Sequence, residues 1–310
     1  MFNALLVLRI AQGDIQRVSL PDGQMTEFLA EAGPWPDGIV VAGETVYWTT
    51  MGEPVRIPGV EGEGGADFSA ATGGVHAVPL AGGPVRDVVG PGLITTAKQL
   101  ADDGRGRLYW GDREGCRISS VAMDGDGLHT LISNVPDASG EQECVGVAVD
   151  APRGHLYWTQ KGPAKGGKGR IFRAGLELPA GEDADARNDV ELLWDGLPEP
   201  IDLEIHDGFL YWTDRGAGPT GNTLNRAALP PTGERGAEPE ILASGFQEAI
   251  GLAVDGEAHR VYVSELGGRI LAVELDAPRS APTLVADLQT PVTGVAGLRA
   301  PATSRIENHA

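Results

Sequence analysis

Short apolar runs, punctuated by glycine, proline and aspartate, recur along the whole chain. Because these runs are rich in Val, Ile, Leu, Tyr and Trp, they predict β-strands. One phrase contains all five tyrosines and occurs as VYWT at Val46–Thr49, LYWG at Leu108–Gly111, LYWT at Leu156–Thr159, LYWT at Leu210–Thr213 and VYVS at Val261–Ser264. Successive tyrosines are separated by 62, 48, 54 and 51 residues, a spacing typical of propeller blades.

Each phrase lies inside a unit of four predicted strands. In the unit around Tyr211, the phrase is preceded by the run 202–205 and followed by the runs 223–227 and 239–243. The other four units have the same order of runs. Since four strands in sequence make one propeller blade, the phrases predict five blades.

The two ends of the chain predict a sixth blade. The runs 4–8, 14–20 and 25–30 match the second, third and fourth strands of a blade, and the run 291–298 matches the missing first strand. Joining the ends would remove the two open sheet edges. The sequence therefore predicts an all-β fold, a six-bladed β-propeller of four-stranded blades in one domain over residues 1–300. Residues 301–310 are predicted to be a frayed tail.

The repeated phrase resembles the YWTD repeat of the low-density lipoprotein receptor propellers, and its best copy is Leu210-Tyr-Trp-Thr-Asp214. The resemblance covers roughly residues 4–298 and implies that the motif residues pack between blades rather than perform chemistry. The chain departs from the receptor pattern because it lacks a flanking cysteine-rich module and its blades vary more in length. More distantly, the architecture resembles gluconolactonase-type propellers, which implies a channel metal held by acidic residues, and strictosidine synthase, which implies a glutamate acting without a cofactor.

Composition narrows the choice of partners. A net charge of −20 argues against nucleic acid and anionic membranes, and it permits a cationic ligand or a divalent cation. No apolar run approaches the roughly 18 residues that span a bilayer, and the run 5–8 is too short for a signal-peptide core, so we expect a cytoplasmic protein. A monomer or a weak dimer is also expected. Cys116 and Cys144 fall on loops of the same face in neighbouring blades. Either a disulfide or two reduced thiols fits that placement.

Three long insertions are predicted on one face, which we call the top face. It carries the loop into the first strand of each blade and the loop between the second and third strands. Blades 2, 4 and 5 lengthen the latter loop at 50–73, 160–169 and 214–222. Long loops in compact domains are usually functional or disordered. Because all three lie on the same face, walls or a lid around the channel mouth are expected here.

Three consecutive blades carry a glutamate at one repeat position, three residues before the repeat glycine. Blades 4, 5 and 6 have Glu143, Glu199 and Glu248 there, whereas blades 1, 2 and 3 have Pro291, Trp35 and Thr96. Carboxylates gathered at a channel rim would either bind a hard cation or raise one another's pKa, as acid–base catalysis requires. The alternative is that each glutamate faces solvent.

Blade 5 breaks the repeat a second time. Its first strand reads Ile201-Asp-Leu-Glu-Ile-His206, so period-two alternation puts Asp202, Glu204 and His206 on one face. A carboxylate in an inner strand must be paired, hydrated in the channel or functional. His206 replaces a strand-end aspartate, and a turn-forming role suits it better than ligation.

These features predict an enzyme that acts on a small molecule at the top of the channel by hydrolase, lyase or cyclase chemistry. The expected catalytic residues are Glu143, Glu199, Glu204 and Glu248. A divalent cation (Ca, Mg, Mn or Zn) would be held by Glu143, Glu204 and Glu248, and no organic cofactor is expected. The expected substrate-binding residues are Trp35, Asp37, Lys98, Asp202 and His206. The rival hypotheses are a propeller that binds a peptide or protein, and a propeller that holds a structural metal.

Overall fold

The structure is a computed structural model that describes residues 1–60 and 65–300. It is all-β, and the described residues form no helix that could cross a membrane. Six four-stranded antiparallel sheets are arranged as the blades of a β-propeller, which confirms the predicted fold class. The predicted tail, residues 301–310, lies outside the described residues.

The strands follow one another in chain order, with blade 1 completed by the last of them. Blade 1 contains β1 (Phe2–Arg9), β2 (Asp14–Ser19) and β3 (Met25–Leu29). Blade 2 contains β4 (Pro36–Ala42), β5 (Thr45–Thr50), β8 (Gly73–Pro79) and β9 (Arg86–Ile94), with β6 (Val55–Arg56) and β7 (Ala66–Asp67) as a small hairpin in its insertion. Blade 3 contains β10 (Ala97–Asp102), β11 (Arg107–Asp112), β12 (Arg117–Ala122) and β13 (His129–Ser133).

The remaining blades repeat this order. Blade 4 contains β14 (Cys144–Asp150), β15 (His155–Gln160), β16 (Gly169–Gly175) and β17 (Glu191–Leu197). Blade 5 contains β18 (Pro200–His206), β19 (Phe209–Asp214), β20 (Thr223–Ala228) and β21 (Glu240–Ser244). Blade 6 contains β22 (Ala249–Asp255), β23 (Arg260–Glu265), β24 (Arg269–Glu274) and β25 (Thr283–Asp287). The last strand, β26 (Val292–Arg299), pairs with β1 in the sheet order β26-β1-β2-β3, so the ring closes as predicted.

Tyrosine and tryptophan of the repeated phrase pack into different gaps between blades. Tyr157 of blade 4 lies in one apolar cluster with Trp212 of blade 5, and Tyr47 of blade 2 shares a cluster with Trp110 of blade 3. Consecutive residues of a strand point to opposite faces, so each phrase fills the gap on both sides of its blade. The structural role that the YWTD resemblance implies is therefore confirmed.

The hydroxyl that follows the tryptophan connects each blade to the next. In blade 4, Gly146 N donates to Thr159 Oγ1 over 2.7 Å, and that hydroxyl donates to Ile201 O of blade 5 over 2.8 Å. Thr49, Thr213 and Ser264 make the same pair of contacts in blades 2, 5 and 6. We call this contact the hydroxyl bridge. Each bridge satisfies one buried amide and one buried carbonyl of two inner strands.

The inner strands approach one another so closely that a glycine is required at one position. A Cβ at Gly146 would lie 2.0 Å from Ile201 O of the next blade, and one at Gly38 would lie 2.5 Å from Leu100 N. Every inner strand changes register here, as a β-bulge. Inner strands therefore begin before the repeat glycine, slightly earlier than the sequence indicates. Blades 3 and 5 carry Gln99 and Asp202 instead of glycine.

We expect Thr159→Val to lower the free energy of unfolding by about 2–4 kcal/mol, because it keeps the side-chain volume but leaves a buried amide and a buried carbonyl without partners. Thr159 is fully buried, so water cannot replace the lost contacts. Urea unfolding measures the change. Thr159→Ser keeps the hydroxyl and is the matched control. Equal losses in the two variants would contradict the bridging role.

Candidate functional site

A pocket of about 480 Å³ opens at the top of the channel, and we call it the upper pocket. Two rings of repeat-equivalent residues surround the channel here, and their members line the upper pocket and a small recess beside it. The mouth ring holds the residue that follows the second strand of each blade: Ile10, Met51, Arg113, Lys161, Arg215 and Leu266. The floor ring holds the residue that precedes the bulge position in each inner strand: Thr293, Asp37, Lys98, Val145, Ile201 and Ile250.

Each ring has a polar half and an apolar half, and the two rings place these halves on different blades. The mouth ring is apolar in blades 6, 1 and 2 and cationic in blades 3, 4 and 5. The floor ring is polar in blades 1, 2 and 3, whereas Val145, Ile201 and Ile250 of blades 4 to 6 pack into one apolar cluster. The upper pocket is therefore amphipathic. Its polar lining residues are Arg56, Asp37, Lys98, Arg215 and Thr293.

Aromatic side chains from blade 2 wall one side of the upper pocket. Trp35 and Phe68 meet edge to face with ring centroids 5.2 Å apart. The Arg56 guanidinium lies 5.1 Å from the Trp35 ring, and that of Arg113 lies 5.4 Å from the Phe68 ring. Phe68 belongs to the blade 2 insertion, so this top-face insertion contributes to the wall as predicted. Such a wall suits the face of a flat or aliphatic ligand.

Asp37 and Lys98 form a buried ion pair in the floor ring. Lys98 Nζ lies 2.9 Å from Asp37 Oδ1 and 3.2 Å from the Met51 sulfur. Gln99 Nε2 lies 3.3 Å from Asp37 Oδ2, so both oxygens of the carboxylate are held from strand β10. Consecutive residues of a regular strand would point apart, and the β-bulge in β10 allows Lys98 and Gln99 to reach one carboxylate.

Each of the three glutamates predicted at the channel rim forms an ion pair with a lysine or an arginine instead of meeting another glutamate. Glu143 Oε2 lies 2.8 Å from Lys161 Nζ, Glu199 Oε1 lies 2.8 Å from Arg215 Nε, and Glu248 Oε1 lies 2.9 Å from Lys165 Nζ. Lys165 N also donates to Glu199 Oε2 over 2.8 Å, so the blade 4 insertion crosses to blades 5 and 6. All four lysines of the chain lie near the top face, and each has a carboxylate partner.

Asp202, Glu204 and His206 face blade 6, on one side of their strand as the alternation predicts. Asp202 Oδ2 accepts from Leu252 N over 3.1 Å, and Glu204 Oε2 accepts from Val254 N over 2.9 Å. A Cβ at Gly256 would lie 2.2 Å from the His206 ring, so the histidine packs on that turn. Asp202 and Glu204 line a lower chamber of about 300 Å³ beneath the floor ring. Burial raises the pKa of Asp202 and that of Glu204 to about 8 each.

The predicted site is thus divided between two places. Trp35, Asp37 and Lys98 line the upper pocket, whereas Asp202 and Glu204 lie in the lower chamber and His206 lines neither. The predicted ligand set Glu143, Glu204 and Glu248 is not brought together, because two members pair with lysines and the third is deeper in the channel. Over residues 1–60 and 65–300, no three His, Cys, Asp or Glu side chains are placed to hold a metal ion.

The cationic half of the mouth ring, Arg113, Lys161 and Arg215, was not predicted from the sequence. The signal was present, since Arg113, Lys161 and Arg215 follow three consecutive copies of the second-strand motif. The residue three positions before the repeat glycine was predicted to form the site instead. Its backbone carbonyl accepts from the mouth-ring amide in most blades, for example Arg215 N to Glu199 O over 3.0 Å. In blades 4, 5 and 6 that position therefore anchors the rim, whereas Pro291 and Trp35 of blades 1 and 2 also line the upper pocket.

Two other groups with reactive side chains are structural. Cys116 and Cys144 are unbridged and buried, and burial raises the pKa of both thiols, so neither is an activated nucleophile. Thr50 Oγ1, His76 Nε2 and Asp87 form a hydrogen-bonded series with distances of 2.9 and 2.8 Å. Thr50 is only 2% exposed, so its hydroxyl is not available to a substrate.

The repeated motif, the ring of six blades and the channel pocket define a YWTD-type six-bladed β-propeller. The chain is 41% identical over 255 residues to a protein of Pyricularia oryzae named low-density lipoprotein receptor-related protein 1, covering 77% of this chain and 78% of that protein. It belongs to the same family as that protein. It is also 36% identical over 285 residues to the 3-hydroxyacyl-CoA dehydrogenase-like protein LAM1 of Cochliobolus heterostrophus, covering 86% of this chain and 57% of that protein. No family model matches the chain.

Solved structures show the same fold at low sequence identity. A chain of a nidogen/laminin complex aligns with a TM-score of 0.68 at 20% identity, covering 94% of this chain and 97% of that one. A gluconolactonase of Xanthomonas campestris aligns with a TM-score of 0.59 at 15% identity, covering 84% of this chain and 78% of that one. The fold is therefore shared by proteins with different named roles, so function must be argued from the site.

We expect dialysis against EDTA to leave the melting temperature unchanged, because lysines already neutralise the rim carboxylates that were predicted to hold a cation. Differential scanning fluorimetry with EDTA, then with added Ca²⁺, Mg²⁺, Mn²⁺ or Zn²⁺, measures this. A rise in melting temperature that is specific to one cation and lost in Glu143→Gln would restore the metal hypothesis.

We expect Glu204→Gln to change the pH dependence of stability. The folded-state pKa of Glu204, about 8, exceeds the ordinary value of 4.5. The folded protein therefore binds the carboxyl proton more tightly than the unfolded chain does, and it loses stability as the pH rises from 4.5 to about 8. Glutamine keeps the oxygen that accepts from Val254 N and cannot ionise. The variant should match the wild type near pH 5 and exceed it by roughly 1–2 kcal/mol near pH 9, allowing for hydration in the channel.

Urea unfolding at a series of pH values measures this difference. Glu31→Gln, at an exposed position, is the matched control and should follow the wild type throughout. Parallel curves for Glu204→Gln and the wild type would show that Glu204 does not titrate in this range.

Proposed function

We propose that this protein is an enzyme that binds a small organic molecule in the upper pocket and acts on it by acid–base chemistry, with hydrolysis of an ester or lactone as the reaction. The observation that carries the proposal is the buried Asp37–Lys98 pair in the floor ring. Asp37 is 1% exposed and Lys98 is 9% exposed, yet both line a pocket large enough for a small ligand. A charged pair at the base of an otherwise largely apolar pocket is costly unless it is used or bridges structure.

The pair supplies the two groups that hydrolysis needs. The Asp37 carboxylate would accept a proton from a water molecule as the water oxygen bonds to the substrate carbonyl carbon. The Lys98 ammonium would stabilise the negative charge that develops on the carbonyl oxygen. When the bond to the leaving oxygen breaks, protonated Asp37 returns its proton to that oxygen, so the carboxylate is regenerated.

The remaining lining would position the substrate. Gln99 holds Asp37 Oδ2, which fixes the direction of the carboxylate. Trp35 and Phe68 would cover the apolar body of the substrate and exclude water from one side. The fold-level likeness to a gluconolactonase is consistent with a hydrolase, although it shows the fold alone.

A second candidate function is ligand or protein binding without turnover. Two observations favour it: the named role of the Pyricularia oryzae relative, and three exposed apolar residues on the blade 2 insertion, Val55, Ile57 and Val60. In this alternative, the Asp37–Lys98 pair only bridges blades 2 and 3. Turnover separates the two functions, because a binding protein would hold the same ligands and release them unchanged.

We expect Asp37→Asn to lower kcat for hydrolysis of phenyl acetate, dihydrocoumarin or 4-acetoxybenzoate by about 10²-fold or more, with little change in KM, because it removes the general base and keeps the shape. Initial rates by absorbance measure this. Asp195→Asn, which alters the exposed Asp195–Arg235 pair between blades 4 and 5, is the control and should keep wild-type rates.

If Asp37→Asn does not fold, the cause would be the Lys98 charge, which stays in the pocket after the Asp37 charge is removed. The second variant therefore combines Asp37→Asn with Lys98→Met and removes both charges. Circular dichroism confirms the fold of each. Two results would contradict the hydrolytic proposal and favour binding alone. One is hydrolysis at the wild-type rate by a folded variant, and the other is no hydrolysis of the three substrates by the wild type.

A further inference from the structure

The lower chamber has acidic side chains in its wall and no basic one among its described lining residues. Its carboxylates are Asp102, Asp202 and Glu204. Asp202 and Glu204 accept hydrogen bonds from backbone amides instead of forming ion pairs. Arg299, at the end of β26, is the base whose charge acts on Glu204, and its side chain is exposed. The chamber is therefore an acidic cavity in the middle of the channel.

Gln99 adds an acceptor without a partner to this wall. Its side chain is 2% exposed and lines the lower chamber. The Asp37 carboxylate accepts hydrogen bonds and cannot donate them, so the Gln99 amide nitrogen must face it and the amide oxygen faces away. Within residues 1–60 and 65–300, Gln99 Oε1 accepts no hydrogen bond. Buried carbonyl oxygens normally have a donor, which indicates that the chamber holds one.

Two carboxylate oxygens of the wall also have room for a donor. Glu204 Oε2 accepts from Val254 N, and Asp102 Oδ1 accepts from Gly104 N over 2.8 Å. The second oxygen of each carboxylate accepts nothing from the described part of the chain. No described lining side chain other than Gln99 carries an N–H or O–H donor when the carboxyls are ionised, and the Gln99 amide nitrogen faces Asp37. The ligand must therefore supply the donors.

The rest of the wall limits the shape of that ligand. Most lining residues are aliphatic, among them Val41, Val149 and Leu252. Phe2 begins β1 and Gly297 lies near the end of β26, so the chamber extends toward the face opposite to the top face. A volume of about 300 Å³ accommodates a small organic molecule with an apolar part.

We infer that the lower chamber binds an organic cation whose head group carries several N–H donors and whose body is a short aliphatic chain. Asp202, Glu204 and Gln99 are its acceptors. A guanidinium has donors that point in several directions, as separate acceptors in a channel wall require. A metal ion needs ligands that converge on one point, and the described residues place no three acidic, histidine or cysteine side chains in that way. The inference does not depend on hydrolysis in the upper pocket.

Calorimetry with three matched probes at pH 9 tests the site. Burial raises the pKa of Asp202 and that of Glu204 to about 8, so both are mainly ionised at that pH, and a guanidinium keeps its charge. Butylguanidinium has charge and donors, butylurea has donors without charge, and butyltrimethylammonium has charge without N–H donors. We expect butylguanidinium to bind the wild type at least about tenfold more tightly than either of the others.

Two results would overturn the inference. One is equal affinity for the three probes, which would show that neither charge nor donors are recognised. The other is no binding of butylguanidinium, which would show that the chamber holds water alone.

A pair of variants assigns the charge that is recognised. Glu204→Gln removes one negative charge and keeps the oxygen that accepts from Val254 N. We expect it to weaken butylguanidinium binding about tenfold and to leave butylurea binding unchanged. Glu31→Gln removes the same charge at an exposed position and should change neither. If Glu204→Gln does not fold, Asp102→Asn replaces it, since asparagine keeps the oxygen that accepts from Gly104 N.

A further variant separates the two cavities. Trp35→Leu changes the wall of the upper pocket and leaves the lower chamber intact, because Trp35 lines the former and not the latter. We expect it to bind butylguanidinium as the wild type does. Weaker binding in Trp35→Leu with unchanged binding in Glu204→Gln would place the cation in the upper pocket and overturn the inference. Binding is measured without turnover, so failure of the hydrolytic proposal would leave this site in force.

Discussion

The hydroxyl bridge from one blade to the next is the contact on which the remaining geometry depends. Thr49, Thr159, Thr213 and Ser264 each connect two inner strands through one oxygen. In the closing blade, Thr293 of the inner strand makes a comparable contact with Pro36 O over 2.8 Å. At the junction of blades 3 and 4, Gly111 occupies the motif position that carries the hydroxyl in the other blades. A Cβ there would lie 2.5 Å from Val145 O. Close backbone approach replaces the bridge at that junction.

This close approach determines what the channel contains. Because the inner strands nearly touch, the bulge position accepts a side chain only where that side chain is directed into the channel, as with Gln99 and Asp202. The residue before the bulge then forms the floor of the upper pocket. Gln99 holds the catalytic candidate Asp37, and Asp202 bonds to the backbone of blade 6. The two departures from glycine thus organise the layer between the two cavities.

The sequence predicted the blades well and the site only partly, for a physical reason. A blade depends on local features, namely tyrosine and tryptophan at alternating positions and glycine where backbones touch. The site depends on which repeat positions meet across the channel. The position of Glu143, Glu199 and Glu248 is regular in sequence, but its side chains pair with lysines and an arginine. Asp37 and Lys98 were predicted as substrate-binding residues. Their contact with each other was not predicted, because it depends on the β-bulge in β10, which the sequence does not show.

The net charge of the chain does not predict which charged side chains lie around the upper pocket. A net charge of −20 describes the average surface, and screening confines each exposed charge to about a Debye length of 8–10 Å. The cations of the mouth ring are buried, and each is paired with a carboxylate: Arg113 with Glu114, Lys161 with Glu143 and Arg215 with Glu199. Arg113, Lys161 and Arg215 are separated along the chain by whole blades, and propeller symmetry alone makes them neighbours. A repeat fold therefore allows an acidic protein to bring three ion pairs together by changing one residue in each of three consecutive repeats.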